Sequence, residues 1–217
     1  MKIIVYVEGA SDKLALQALL QPVLDAKQKE GIQVDFFEAP PGDRKKSLLE
    51  KAPRKAAAIL MNDPTAIVVI LPDLYPMNKG FPHKTSTELC MGIRDRIKAA
   101  IERMGKEFTP AMQKRCSAFC LKHDLEALVL ASADQLRSHI GLKKLVPTWA
   151  VPVEDQNHGD PPKRVVERLF AAHGRHYIDT VDAVTILGAS NYVEVAERCP
   201  QCFGPFVAFL KAAGQAA

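Results

Sequence analysis

Two acidic residues of this chain directly follow apolar segments, at positions where a strand would end. Glu8 comes after residues 2–7, and Asp73 comes after residues 67–72. In an open α/β sheet, the carboxyl ends of parallel strands form the edge at which ligands bind. We therefore expect both carboxylates at one edge of a sheet. Carboxylate oxygens suit Mg²⁺ or Mn²⁺, so the two residues are candidates to share one divalent cation.

Asp12 adds a third carboxylate, one turn beyond Glu8. It lies on the first turn of a helix that the apolar spacing of residues 12–30 predicts, with a start at Ser11 or Asp12. A structural alternative remains open, in which Glu8 caps the helix and Asp12 complements the helix dipole. Asp73 has the alternative of beginning a turn, although a charge directly after an apolar strand is costly to desolvate.

A further acidic cluster follows the predicted fourth strand, residues 116–122. His123, Asp124 and Glu126 stand at this third strand-to-helix junction, and Lys122 could balance their charge or contact a phosphate. Asp124 is equally well placed to be the N-cap of the next helix, with Glu126 as an acid of its first turn. Catalytic and capping interpretations both stay open for these residues.

Basic residues that could contact a phosphate open a later helix. Lys163 and Arg164 follow a proline-rich loop and Arg168 lies one turn further on, so the three could face one way. A solvated basic helix face explains them equally well. The same interpretation is favoured for another basic stretch: Lys45, Lys46, Arg54 and Lys55.

Composition excludes several classes of protein. The 217 residues are enough to bury a core, and 29 basic against 25 acidic residues give a net charge of +4, which is weak evidence for a polyanionic partner. No signal peptide, membrane-spanning segment, Walker loop, dinucleotide fingerprint or serine nucleophile elbow is present, so we expect a cytoplasmic protein without membrane partners. The odd number of cysteines predicts reduced thiols, with Cys199 and Cys202 as at most half of a zinc site.

The order of predicted elements indicates an α/β fold. Strands at residues 2–7, 32–37 and 66–71 alternate with helices at 12–30 and 44–61, which implies right-handed crossovers and a mostly parallel, Rossmann-like sheet of four strands flanked by helices. We expect an α/β core over residues 1–140. Residues 141–217 are predicted to form a helical cap on the same domain, ending in helices at 162–172 and 192–213.

Two of these motifs together resemble the TOPRIM domain of topoisomerases, primases and the overcoming-lysogenization-defect (OLD) nucleases. They are V-E-G-x-S-D at residues 7–12 and L-x-D-L-Y at residues 71–75. In that fold, a glutamate after the first strand and a D-x-D pair after the third hold magnesium for phosphodiester chemistry. The chain departs from the pattern at the second aspartate, where Tyr75 stands. Tyrosine is a poor magnesium ligand.

The departure is similar to that of an uncharacterised bacterial TOPRIM-like family, across almost the whole chain. The shared motifs are D-L-Y at 73–75, F-P at 81–82, H-x-x-E-A-L at 123–128, P-K-R at 162–164 and C-P at 199–200. The resemblance implies a TOPRIM-like fold, an ATPase encoded nearby as a partner, and a role in phage defence or nucleic-acid processing, but no settled reaction. It carries Glu8, Asp12 and Asp73 over to a metal site.

We favour Asp124, with His123 beside it, as the replacement for the lost second aspartate, with Glu126 as the other candidate. The resulting hypothesis is a magnesium- or manganese-dependent nuclease or related phosphoryl-transfer enzyme acting on DNA or RNA. Two other functions stay open. One is a catalytically degenerate partner or regulator of an ATPase, and the other is an enzyme that acts on a small phosphorylated ligand.

Overall fold

A computed structural model describes residues 1–144 and 147–214 of the chain. It contains a four-stranded sheet in the order β2-β1-β3-β4, in which every neighbouring pair is parallel. The strands are β1 (Lys2–Val7), β2 (Gln33–Glu38), β3 (Ala66–Ile70) and β4 (Cys116–Ala118). This architecture confirms the predicted α/β fold with a parallel sheet flanked by helices.

The helices lie on both faces of the sheet. Those of the first half are α1 (Ala10–Lys29), α2 (Arg44–Asn62), α3 (Ser86–Arg103), α4 (Pro110–Lys114), α5 (Glu126–Ala131) and α6 (Ala133–Ile140). Those of the second half are α7 (Pro162–Ala171), α8 (Val184–Gly188), α9 (Tyr192–Arg198) and α10 (Phe203–Ala212). A 3-10 turn at Val153–Asp155 and a π-helical turn at Asp179–Ala183 join them.

Alternation along β1 divides the core into two layers. Ile3, Val5 and Val7 are buried on the face covered by α1 and the C-terminal helices, whereas Ile4 and Tyr6 are buried on the face covered by α2 and α3. A strand buried on both faces must be apolar throughout, which is the pattern that predicted β1 from the sequence. The same arrangement places β1 and β3 side by side, so that Glu8 and Asp73 leave the sheet as neighbours.

The fourth strand is shorter than the predicted residues 116–122. Regular pairing ends at Ala118, and the chain then makes a single parallel bridge between Leu121 and Asp73. The Leu121 amide donates to Pro72 O at 2.9 Å, and the Leu74 amide donates to Leu121 O at 2.7 Å. This bridge extends the sheet locally around Asp73 and fixes the backbone on both sides of it.

The predicted helix at 192–213 is in fact two helices, α9 and α10. Pro200 lies in the break, and the buried carboxylate of Glu154 accepts hydrogen bonds from the first amides of the second helix: Gln201 at 2.6 Å, Cys202 at 2.8 Å and Phe203 at 3.2 Å. A carboxylate satisfies the orphan amides at a helix N-terminus and complements its dipole. The break is therefore stabilised by a contact from a distant loop.

The C-terminal helices share one core with the sheet. Phe170, Leu187 and Phe206 pack in the same cluster as Ile3 and Leu16. Lys27 of α1 reinforces this packing, because its buried ammonium donates to Lys211 O, Ala213 O and Glu30, each at 2.8 Å. Of the predicted helical cap at residues 141–217, residues 145–146 and 215–217 lie outside the described residues. No helix among residues 1–144 and 147–214 combines the length and apolar character needed to cross a membrane.

Candidate functional site

A small cavity of about 110 Å³ lies at the carboxyl edge of the sheet. Acidic side chains dominate its lining and come from β1, α1, the end of β3, the start of α5 and the π-helical turn. The lining residues are Glu8, Ser11, Asp12, Arg44, Asp73, Asp124, Leu125, Glu126, Lys163 and Asp179. The structure thus brings together all of the carboxylates proposed from the sequence.

Glu8 is held at the end of β1 by the neighbouring strand. Its Oε1 accepts a hydrogen bond from the Asp73 amide at 3.0 Å, so it does not cap α1 as the structural alternative supposed. Burial raises the pKa of Glu8 to about 7, and the charge of Asp12 adds to the effect against the Asp73 amide, which lowers it. Glu8 therefore holds its proton close to neutral pH in the absence of a cation.

Asp12 serves the helix with one oxygen only. Its Oδ2 accepts from the Gly9 amide at 2.9 Å, which closes the first turn of α1. The helix begins at Ala10, one residue before Ser11 and two before Asp12, the two predicted starts. Burial raises the pKa of Asp12 to about 6, and the charge of Glu126 contributes. The capping role and a place in the cavity coexist in this residue.

Asp73 is the most strongly perturbed acid of the cavity. Its pKa is raised well above the usual value by burial first, and then by the charges of Glu8, Asp12 and Asp124. Lys45 opposes this shift but does not cancel it. Mutual repulsion of this kind is typical of carboxyl groups that share one site. A bound cation would relieve it.

Asp124 and Glu126 complete the acidic set from the other side of the cavity. The buried Oδ1 of Asp124 has no hydrogen-bond partner, and the N-cap position of α5 belongs to Leu125, so Asp124 does not cap that helix. Burial and the charge of Glu126 raise the pKa of Asp124 to about 7. Glu126 is itself buried, and burial raises its pKa as well.

Lys163 is the predicted phosphate-binding residue that reaches the cavity. Its ammonium lies 3.7 Å from Glu126 and 3.4 Å from Asp179. Burial alone would lower the pKa of Lys163, but these two carboxylates raise it overall. Arg164 is exposed outside the cavity lining, and Arg168 pairs with Asp160 at 2.7 Å on the surface. The structure does not bring these two arginines to the acidic cavity.

Three lining or neighbouring residues escaped the sequence interpretation. Arg44 and Asp179 line the cavity without belonging to any motif. Lys45, interpreted as solvated surface, is instead buried, and its ammonium donates to Leu74 O and Pro76 O at 2.7 Å each. Burial lowers the pKa of Lys45, while Glu8 and Asp73 act to raise it. Only the amphipathic pattern of α2 could have indicated that one basic residue turns inward.

Tyr75, which stands where the second aspartate of the TOPRIM pattern is expected, is part of an aromatic stack. Its ring lies parallel to His123, with centroids 5.0 Å apart, and stacks on His158 at 4.3 Å. Burial lowers the pKa of His123, and the charges of Lys122 and His158 act in the same direction. Lys122 is directed elsewhere, because its ammonium binds Asp155 and Gln201 at 2.7 Å.

Comparison with known families adds a decisive observation. The profile of a domain of unknown function, DUF4276, matches residues 7–211. The chain belongs to the DUF4276 family. A comparison with curated proteins finds no match. Among solved structures, the C-terminal region of the Burkholderia pseudomallei OLD protein is similar, with 17% identity, 97% of each chain covered and a TM-score of 0.45.

The acidic cavity of this DUF4276 chain suits a hard divalent cation in its chemistry. Its donors are carboxylate oxygens. The buried Oδ1 of Asp124 has no hydrogen-bond partner in the protein, and a cation could take that place. Within the described residues, no three Asp, Glu, His or Cys side chains already converge on one coordination position. Binding therefore requires rotamer changes that draw carboxylates together.

The raised pKa values predict an inverted pH dependence of stability for the metal-free DUF4276 chain. The carboxyl groups of Glu8, Asp12 and Asp124 titrate at about 7, 6 and 7 in the folded chain, against ordinary values of 4.5, 3.8 and 3.8. The folded state thus binds more protons than the unfolded state between about pH 4 and pH 7, so stability falls as pH rises through this window. The shift of Glu8 alone corresponds to up to about 3 kcal/mol.

Urea denaturation in EDTA at pH 5 and pH 8 measures this effect. Glu8→Gln should flatten the difference, because the amide does not titrate. Exposed Asp95, which lies on α3 away from the cavity, supplies the matched control Asp95→Asn. A wild type that is more stable at pH 8 than at pH 5 would contradict the expected repulsion.

Proposed function

We propose that this DUF4276 chain is a magnesium- or manganese-dependent phosphodiester hydrolase of TOPRIM type that acts on DNA or RNA. One observation carries the proposal: six carboxyl groups from five separate segments at the sheet edge line one cavity together with a lysine and an arginine. Acidic groups buried this close are destabilising for the fold and are typical of a site that binds cations.

Glu8, Asp12, Asp73 and Asp124 would hold the ion. A bound divalent cation supplies Lewis-acid stabilisation of a phosphate oxygen and a lowered pKa for coordinated water. These four carboxyl groups would release their protons on binding, and the Asp73 amide would continue to orient Glu8. Glu126, buried beside Lys163, is the candidate to accept or donate a proton at the cavity wall.

Lys163 and Arg44 supply positive charge at the same cavity. Lys163 is held near Glu126 and Asp179, so its ammonium is positioned before a substrate arrives. Arg44 begins α2 and packs beside Gly9. A Cβ atom built on Gly9 would lie 3.6 Å from the guanidinium of Arg44, so the side chain lies directly against the backbone that follows Glu8. Guanidinium groups bind phosphate through paired N–H donors, so we assign phosphate contact to Arg44 together with Lys163.

The resemblance of residues 7–12 and 71–75 to the TOPRIM pattern supports the choice of phosphodiester chemistry. Asp124 would take the part of the missing second aspartate, since its unpartnered oxygen lines the cavity. A role in phage defence or nucleic-acid processing, with nucleic acid as substrate and an ATPase as partner, forms part of this proposal.

Two observations favour a second function. Tyr75 is locked between His123 and His158, and no three donors converge on one coordination position within the described residues. A degenerate TOPRIM-type chain that regulates an ATPase partner without cutting would show both features. In that case the acidic cavity would be a remnant that binds no cation.

Thermal denaturation with Mg²⁺ and Mn²⁺ decides between the two functions. For a hydrolase, we expect millimolar metal to raise the melting temperature of the wild type at pH 8 by several degrees, because a ligand that binds only the folded state stabilises it. The double variant Glu8→Gln, Asp73→Asn should show no such rise.

Two controls make the result specific. Asp95→Asn should respond to metal as the wild type does, and Ca²⁺ tests whether any hard cation is sufficient. An equal rise in the wild type and the double variant would place the metal elsewhere. No rise in either would favour the regulatory function.

A further inference from the structure

A second cavity, a groove of about 340 Å³, opens beside the edge strand β4. Four of the five cysteines line it: Cys90 from α3, Cys116 from β4, Cys120 just after β4 and Cys202 at the start of α10. The proposed hydrolase chemistry uses none of them. A groove with this many thiols has a soft, polarisable lining that is unlike the oxygen-lined acidic cavity.

Three of these thiols lie close together. The Sγ atoms of Cys120 and Cys202 are 3.5 Å apart, although the residues are 82 positions apart in the sequence. Cys90 lies beside Cys120, which lowers the pKa of the Cys90 thiol, and it is only half-buried whereas the other two are buried. Cys90 is therefore the thiol that a small molecule in the groove meets first and finds most reactive.

We propose that Cys90, Cys120 and Cys202 form an oxidation site for small peroxides, in which Cys90 reacts first and a disulfide between Cys120 and Cys202 is the final product. The arrangement is the one that such a sequence needs: an accessible thiol, a neighbour that can attack it, and a third thiol in contact with that neighbour. The inference is independent of the proposed hydrolase function.

The chemistry balances with one peroxide consumed. The Cys90 sulfur attacks a peroxide oxygen, the O–O bond breaks, and the leaving oxygen takes the thiol proton, which gives Cys90 sulfenic acid and water or an alcohol. Cys120 Sγ then attacks Cys90 Sγ, and hydroxide leaves with the Cys120 proton as water. Cys202 Sγ finally attacks Cys120 Sγ, which returns Cys90 to the thiol form after transfer of the Cys202 proton.

The product would connect two parts of the structure that matter to the acidic cavity. Cys120 directly precedes Leu121, whose amide and carbonyl hold Pro72 and Leu74 on either side of Asp73. Cys202 is the residue whose amide binds Glu154 at the start of α10. A disulfide would therefore tie the segment that supports Asp73 to the C-terminal helices.

Mass spectrometry of the whole reduced protein tests the proposal. The protein is exposed to one equivalent of hydrogen peroxide and then quenched with an alkylating reagent. We expect the disulfide to account for a loss of two hydrogen atoms. A digest under non-reducing conditions should contain one crosslinked peptide pair, Cys120 with Cys202. Cys90→Ser should slow its formation by about tenfold, because a buried thiol must then react directly with peroxide. Cys116→Ser, in the same groove, should leave the rate unchanged.

Other outcomes would overturn the proposal. A Cys90→Ser variant that oxidises as fast as the wild type removes Cys90 as the entry point. Crosslinks that involve Cys116 or Cys199 would contradict the proposed site. So would the absence of any disulfide in a protein whose circular dichroism is unchanged. Neither metal nor nucleic acid enters the assay, so failure of the hydrolase proposal leaves these results interpretable.

Discussion

Asp73→Asn is expected to abolish metal-dependent cleavage and, in the same protein without metal, to increase stability. Asparagine keeps the shape of the side chain and leaves the backbone bridge to Leu121 intact. It removes one ionisable group from the cluster of buried carboxyls. In that cluster, burial and repulsion from the neighbouring carboxylates raise the pKa of Asp73. Loss of a metal ligand should lower the cleavage rate by a factor on the order of 10³.

The stability gain has the opposite sign to that of an ordinary core substitution. At pH 8 in EDTA, we expect the free energy of unfolding to rise by about 1–2 kcal/mol, or roughly 2–8 °C in melting temperature. Calorimetry and a cleavage assay with labelled DNA and RNA, on one preparation, measure both quantities. Asp95→Asn should change neither. Retained cleavage, or a destabilised Asp73→Asn protein, would count against the assigned site.

Glu154→Gln is expected to produce the largest loss of stability without touching the acidic cavity. The buried Glu154 carboxylate accepts three amides at the start of α10, and a glutamine would turn an N–H group toward at least one of these donors. Breaking charge-assisted hydrogen bonds in a buried setting costs about 3 kcal/mol, which corresponds to roughly 6–12 °C in melting temperature.

The matched control is Glu167→Gln on the exposed face of α7. Urea denaturation followed by circular dichroism should show a shift for Glu154→Gln and almost none for Glu167→Gln. The metal response of the folded Glu154→Gln protein should persist, because Glu154 does not line the acidic cavity. A loss of less than about 1 kcal/mol would mean that water replaces the carboxylate at the helix start.

The sequence predicted the elements whose patterns are local. The apolar run of β1 and the spacing along α1 and α2 agree with the structure to within two residues at most boundaries. The break between α9 and α10 was not predicted, although Pro200 is a local signal for it. The contact that stabilises the break comes from Glu154, nearly fifty residues earlier. The shortening of β4 likewise depends on a bridge between Leu121 and Asp73 rather than on strand propensity.

The candidate site divides in the same way. Glu8, Asp12 and Asp73 were predictable because strand ends and helix starts place side chains by simple rules. Asp179 lies in an irregular turn that carries no motif. The burial of Lys45 depends on the carbonyl groups of Leu74 and Pro76, about thirty residues away. Such placements are set by tertiary contacts that a local pattern does not contain.

The way the second half of the chain reaches the acidic cavity limits how DUF4276 sequences can be recombined. Lys163 and Asp179 face carboxylates contributed by residues 8–126, so the two halves must match in charge. A chimera joined near residue 141 would combine a basic residue from one parent with an acidic group evolved beside another. Because the lining residues run from Glu8 to Asp179, we expect functional crossovers in shuffled libraries to fall after residue 179, where one parent supplies the whole set, rather than at the apparent boundary between sheet and cap.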